Sequence, residues 1–307
     1  MKNKTPLIMG GIFLLLVVIF FVTTMNPRER SKGAEPLFAG DKPDITRLEF
    51  ESVKNGRLVI EERNGVWSIS EPIEYKASEE AVQQTLTALK NVLIDGVISR
   101  RVEVRDKYDV SDSLGTHLKA FAADKLVLDV IVGKNTVDLN HTYARLADSD
   151  DITLWRGLLT SHVNRSVDDW RDKTVYSFNP DDILEIRSVT ADTTKVLALQ
   201  DTLWVYTENG TEKPIDQKSA GDLVSLIASL RCDAFADEND IPRVAENEAD
   251  TGVSFKVRNG DVHSFDVWSP GEKDSGRYLI RKKDGSEVFR FYRYRGSQLV
   301  IDYDRLK

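Results

Sequence analysis

The four histidines of this 307-residue chain, His117, His141, His162 and His263, could serve general acid–base chemistry or ligate a metal. Each stands alone. None has a second histidine or a cysteine three to five residues away, the spacing that puts two zinc ligands on one helix face. A hydrogen-bonded structural histidine is the expectation for each. The run Asp148-Ser149-Asp150-Asp151 offers oxygen ligands of the kind calcium takes, but it lacks the central glycine and the later bidentate glutamate of an EF-hand loop. It reads as a turn between strands. The pairs Asp168-Asp169 and Asp181-Asp182 are adjacent, so their carboxylates point apart in a strand and diverge by roughly 100° in a helix. They suit caps and turns better than concerted catalysis. No nucleophile elbow, Walker loop or dinucleotide-binding glycine turn occurs. No catalytic residue, metal or cofactor is predicted, although a triad assembled from scattered residues stays open. The single cysteine, Cys232, reads as a small apolar residue at a helix end.

One segment stands out for binding. From Arg277 to Lys307 there are nine basic residues against four acids, a local +5 in an acidic chain. Read as a strand, "FRFYRYRG" puts Phe289, Phe291, Arg293 and Arg295 on one face and Arg290, Tyr292 and Tyr294 on the other. Arginine and tyrosine together are typical anchors of protein interfaces. Arg290, Tyr292, Arg293, Tyr294 and Arg295 are therefore the candidate partner-binding residues, facing an acidic partner. The competing reading is structural: basic residues that guard a sheet edge against unwanted pairing and neutralise acids on the first repeat.

These residues need elements to hold them. Leu7–Met25 is a run of 19 residues without a charge, roughly 28 Å long as a helix, which spans a bilayer core. The sequence after it, Val22-Thr23-Thr24-Met25-Asn26-Pro27, lacks the small residues of a signal-peptide cleavage site, which favours a retained anchor. Basic residues flank the run on both sides, so orientation rests on the general preference for a cytoplasmic N-terminus. Without residues 1–32 the chain carries about −12, a poor match for nucleic acid.

Residues 33–44, rich in glycine and proline, read as a linker. Beyond them "LVIEERNGVWSIS" reads as a β-hairpin about Asn64-Gly65, since that dipeptide readily supplies the positive φ of a tight turn. Ser78 caps a helix with Glu79 and Glu80 in its first turn and Val82, Leu86, Leu89 and Leu93 at helical spacing. Strands follow. A shift of 137 residues repeats this order, placing Val59 on Val196, Trp67 on Trp204, Leu86 on Leu223, Leu89 on Leu226 and Leu93 on Leu230. Tyr143 aligns with Tyr278, Ile152 with Val288 and Trp155 with Phe291. The recurrence of Trp67 at Trp204 argues that both are core. So long a period implies that each copy buries its own core.

The order "ITRLEF", "NGVWSI", a helix, "KYDVSDSL", "LVLDVIVGK", "TYARLADSDDITLW" and "DDWRDKTVYSFNPDDILEI" resembles a bacterial family of unknown function, DUF4340, over residues 45–307 in two tandem copies. The second copy lacks a clear "WRDK" end. The resemblance implies membrane-anchored proteins, often associated with ABC-type transport systems of the gliding-motility kind, and implies no activity.

The expected architecture is α+β: an N-terminal transmembrane helix within 1–32, a linker at 33–44, and two hairpin–helix–antiparallel-sheet repeats at 45–179 and 180–307. The expected function is that of a non-enzymatic accessory protein in the inner membrane. Its two units lie outside the cytoplasm and bind a protein of the cell envelope. The alternatives are a sugar- or peptide-binding module, with the five tryptophans as stacking residues in a cleft between the repeats, and an envelope hydrolase.

Overall fold

The computed structural model describes residues 33–271 and 276–307. The expected span Leu7–Met25 lies outside them, and among the described residues no helix is long and apolar enough to cross a membrane.

The chain divides into two compact units, the first ending at Trp170 and the second covering Arg171–Lys307. The first contains β1 (Glu35–Pro36), β2 (Arg47–Ser52), β3 (Gly56–Arg63), β4 (Val66–Glu71), β5 (Tyr75–Lys76), α1 (Glu79–Lys90), β6 (Leu93–Ser99), β7 (Thr116–Ala122), β8 (Lys125–Asn135), β9 (His141–Leu146), β10 (Ile152–Arg156), α2 (Thr160–Val163) and α3 (Val167–Trp170). The second contains β11 (Ile183–Val189), β12 (Thr194–Gln200), β13 (Leu203–Glu208), β14 (Thr211–Lys213), α4 (Gln217–Ala228), β15 (Ala234–Phe235), α5 (Asp240–Glu246), β16 (Thr251–Val257), β17 (Val262–Trp268), β18 (Arg277–Lys282), β19 (Val288–Tyr292), α6 (Arg293–Gly296) and α7 (Tyr303–Leu306).

The α+β expectation is corrected. The described chain is 42% strand and 21% helix, in two antiparallel sheets. Only α1 and α4, 12 residues each, exceed seven residues among the described helices. The physical reason is the side-chain period: after each of these helices the apolar residues alternate, as a half-buried strand requires, and the chain spends itself in antiparallel ladders.

The first sheet runs β1-β6-β10-β9-β8-β7-β2-β3-β4-β5 and the second β14-β13-β12-β11-β16-β17-β18-β19-β15. Read from opposite ends, β6 to β5 and β15 to β14 follow the same course. The hairpin turn Asn64-Gly65 has φ of 54° and 79°, the positive pair that a two-residue turn demands. Ser78 accepts from the Ala81 N–H at 3.3 Å and Asp216 from the Ser219 N–H at 2.8 Å, so each long helix has a side-chain cap. Its main chain is held equivalently too. Ser78 N–H donates to Trp170 O at 2.7 Å, and Asp216 N–H to Leu306 O at 2.6 Å. The final turn α7 thus stands where α3 stands, although its sequence has no tryptophan.

The helix correspondence differs from the expected one by a residue. Caps Ser78 and Asp216 set an offset of 138, which puts buried Leu86 and Leu89 opposite buried Val224 and Ile227. Leu223 and Leu226, expected in that place, are only half-buried. One residue turns a helix by about 100°, enough to move a side chain off the buried stripe. The hairpin keeps 137, yet Trp67 is buried whereas Trp204 is half-exposed. In β9, Tyr143 pairs with Leu154 and Arg145 with Ile152, while Arg281 pairs with Val288, so Tyr143 stands opposite Leu279 rather than Tyr278. Within the expected linker, Glu35–Pro36 form β1, and Leu37 and Phe38 pack on the first core.

Candidate partner-binding surface

Strand β19 ends at Tyr292, and the chain turns at once into α6. The candidate residues therefore do not alternate along one strand. Arg290, inside β19, is buried with 9% exposure. Its guanidinium is held by Asp240, with Nε 2.7 Å from Oδ2, and by Asp237, whose carboxyl the Arg290 hydrogen bond holds below the usual range. Arg295 pairs with Asp233, donates to Arg231 O at 2.7 Å and lies over the Phe291 ring at 5.7 Å. Both arginines are structural.

Asp233 also accepts from the Tyr292 N–H at 2.8 Å, so one carboxylate fixes the strand end and the helical turn together. Gly296 seats that turn against the ring of Tyr278, where a Cβ would collide with the ring. This scaffold pushes three of the five residues outward. Tyr292 is 58% and Tyr294 77% exposed, and Arg293 is exposed with no acid paired to it among the described residues. Arg293 is thus an exposed guanidinium, unpaired among the described residues and flanked in sequence by two exposed tyrosines, side chains of the kind that bind carboxylates.

Most of the other basic residues are engaged. Lys283 pairs with Asp266 at 2.8 Å, Lys307 with Asp304 at 2.6 Å, and Arg281 and Lys282 lie over Trp268 and Tyr176. The sheet-edge reading of β19 does not describe its place, since β19 lies between β18 and the short β15.

The remaining candidates take structural roles. Asp150 pairs with Arg105 and Asp151 with Arg100 at 2.8 Å, while buried Arg145 donates to Ser149 O at 3.2 Å and Val110 O at 3.1 Å. The acid run is a stapled turn. Asp169 accepts from Ser166 Oγ at 2.7 Å, and Asp181 and Asp182 sit in a short turn capped by Asn179. Burial pushes the Cys232 thiol up to about 12, leaving it inert at neutral pH. Trp67, Trp155, Trp170 and Trp268 are buried, which removes four of the five supposed stacking residues.

Two histidine networks escaped the sequence because their partners are distant in the chain. His117 pairs with Asp129 on the neighbouring strand, beside a polar groove of about 320 Å³ that Glu51, Ser52, Arg57 and Asp112 also line. The Ser52 hydroxyl accepts from Asn55 N–H at 3.1 Å and, among the described residues, makes no hydrogen bond to His117, so that hydroxyl is not coupled to the imidazole. His141 lies 2.8 Å from Asp95, which Arg156 clamps through its Nε and Nη2 at 2.7–3.0 Å. Among the described residues no group of acids, histidines and cysteine could hold a metal ion.

A family profile described as a domain of unknown function, DUF4340, matches residues 67–249, from the first hairpin to just before β16. No curated protein and no solved structure matches.

Proposed function

The chain belongs to the DUF4340 family, and from that premise we propose that it is an accessory interaction protein that acts by binding and not by catalysis. The observation that carries this reading is the exposed Tyr292–Arg293–Tyr294 turn, braced from beneath by Asp233 and Tyr278. It offers a positive charge and two rings to an acidic protein surface, on a chain otherwise net negative.

The reading includes a place: attachment to the inner membrane through the uncharged segment Leu7–Met25, with the folded units outside the cytoplasm, beside an ABC-type transport assembly. Sequence and resemblance support it. It also includes an origin by duplication, supported by the shared strand course and the matched cap hydrogen bonds of the two units. Two related units offer two points of attachment, and linked weak contacts reinforce one another.

Cross-linking in intact membranes, followed by affinity capture, tests this. Arg293→Glu combined with Tyr292→Ala abolishes capture of the partner and leaves the thermal melt within a degree or two, as expected of exposed residues. Arg290→Glu instead sets three carboxylates together in a nearly buried site and destabilises the protein by about 3 kcal/mol or more in urea titration. If the Tyr292/Arg293 variant captures the same proteins as the parent, the docking surface lies elsewhere.

A further inference from the structure

In the first unit, Arg165 reaches across to helix α1. Its Nη1 donates to Ala81 O at 3.4 Å and its Nη2 to Gln84 Oε1 at 3.2 Å, while the guanidinium lies 5.2 Å over the Trp170 ring. An arginine thus fills the space beside α1, with the indole as its floor.

The second unit repeats these elements with different side chains. The cap offset of 138 carries Ala81 to Ser219 and Gln84 to Asp222. The N–H of the capping residue, bonded to Trp170 O in one unit and to Leu306 O in the other, puts Leu306 in the place of Trp170. Arg165 stands five residues before Trp170. Five before Leu306 is Ile301, which is buried in the core with its N–H on Ser188 Oγ at 3.2 Å. Arg305 stands near α4, but it donates to Ser297 O at 2.7 Å and Ser297 Oγ at 2.9 Å, and among the described residues it makes no hydrogen bond to that helix.

What remains is a groove of about 220 Å³. Ser219, Asp222 and Leu306, the counterparts of all three of those Arg165 contacts, line it together with Leu223 and Leu226. It is smaller than the roughly 300–1,000 Å³ of a pocket for a whole small molecule, and suits one long side chain.

Two changes fit the groove to a cation from outside. The neutral acceptor Gln84 is replaced by the carboxylate of Asp222, whose hydrogen bonds to a guanidinium are charge-assisted. Asp222 is paired only with Lys218, one helical turn away at 2.6 Å, and both side chains are so exposed that water screens the pair. Leu223 and Leu226 stand where α1 has Thr85 and Ala88, and they give the methylene stem of a long side chain an apolar bed. The net negative charge of the chain favours the approach of a basic partner.

We propose that this groove takes an arginine side chain of a partner protein, its guanidinium on Asp222 and the Ser219 carbonyl as Arg165 sits on Gln84 and Ala81, and its stem over Leu223, Leu226 and Leu306. The site shares no residue with the Tyr292–Arg293–Tyr294 surface and does not rest on it.

The test titrates the full chain in detergent, with its leucine methyl groups carbon-13 labelled, with the peptide acetyl-Gly-Arg-Gly-amide. The methyl resonances of Leu223, Leu226 and Leu306 shift and saturate. The same peptide with citrulline, which keeps the shape and loses the charge, binds about tenfold or more weakly, the worth of hydrogen bonds to a charged group. The lysine peptide is also weaker, since an ammonium lacks the planar fork. Asp222→Asn lowers affinity for the arginine peptide to a similar degree with an unchanged melt, because Asp222 is exposed. Arg293→Glu leaves the shifts in place, so the two binding readings can fail separately. Absence of saturable shifts, equal affinity for the citrulline or lysine peptide, or full affinity in Asp222→Asn overturns the proposal.

Discussion

At the residue scale, what a charged side chain can do depends on what already holds it. Arg290 and Arg293 are three residues apart in one basic run, but the first is spent on Asp237 and Asp240 and the second is open. Asp95 shows the same principle with a pH signature. The Arg156 guanidinium, and then His141, hold its carboxyl down at about 2. Its pKa in the unfolded chain is near 4, so folding favours the ionised form. The stabilisation is complete above about pH 4 and is lost as pH falls through about 2. Melting temperatures taken against pH should show Asp95→Asn below the parent at pH 6 and the gap closing by pH 2. A gap that persists at pH 2 would show that the network contributes packing rather than charge. Solvent around Arg156 keeps the effect modest.

At the element scale, local signals did what local physics allows. Asn64-Gly65 could be read as a turn because positive φ at two successive positions is costly for most residues. Ser78 could be read as a cap because its short side chain reaches back to an orphan N–H. Ser78→Ala should cost about 1 kcal/mol in urea unfolding, the usual worth of such a cap. A loss below a few tenths would mean that the Ser78 N–H bond to Trp170 O fixes the helix start unaided. The helix register in the second unit was less legible. Both Leu223/Leu226 and Val224/Ile227 are apolar pairs at helical spacing, and only the sheet beneath α4 chooses between them.

At the scale of the whole molecule, each unit closes over its own apolar interior. The first gathers Trp67, Trp155 and Trp170 with Leu48, Ile60 and Leu89, and the second buries Ile186, Leu197, Tyr206, Phe255 and Phe291. Residues 171–307 expressed alone should therefore give a cooperative thermal melt and a near-ultraviolet signal from Trp204 and Trp268. A molten fragment, with far-ultraviolet but no near-ultraviolet dichroism, would show that this core is incomplete by itself. The buried Tyr206 hydroxyl has no hydrogen-bond partner among the described residues, its ring stacks on Tyr303 at 5.4 Å, and burial, with Glu208 and Asp302 nearby, pushes its pKa up to about 12.

The sequence by itself determined the hairpin turn, the capped amphipathic helix and the acidic charge, because each arises from neighbours within a few residues or from composition. It also carried the family resemblance. The dominance of strand over helix was decided by tertiary structure, through ladders between segments far apart in the chain. So was the division of the basic run into structural and open arginines, whose acids lie about 50 to 60 residues away at Asp233, Asp237 and Asp240.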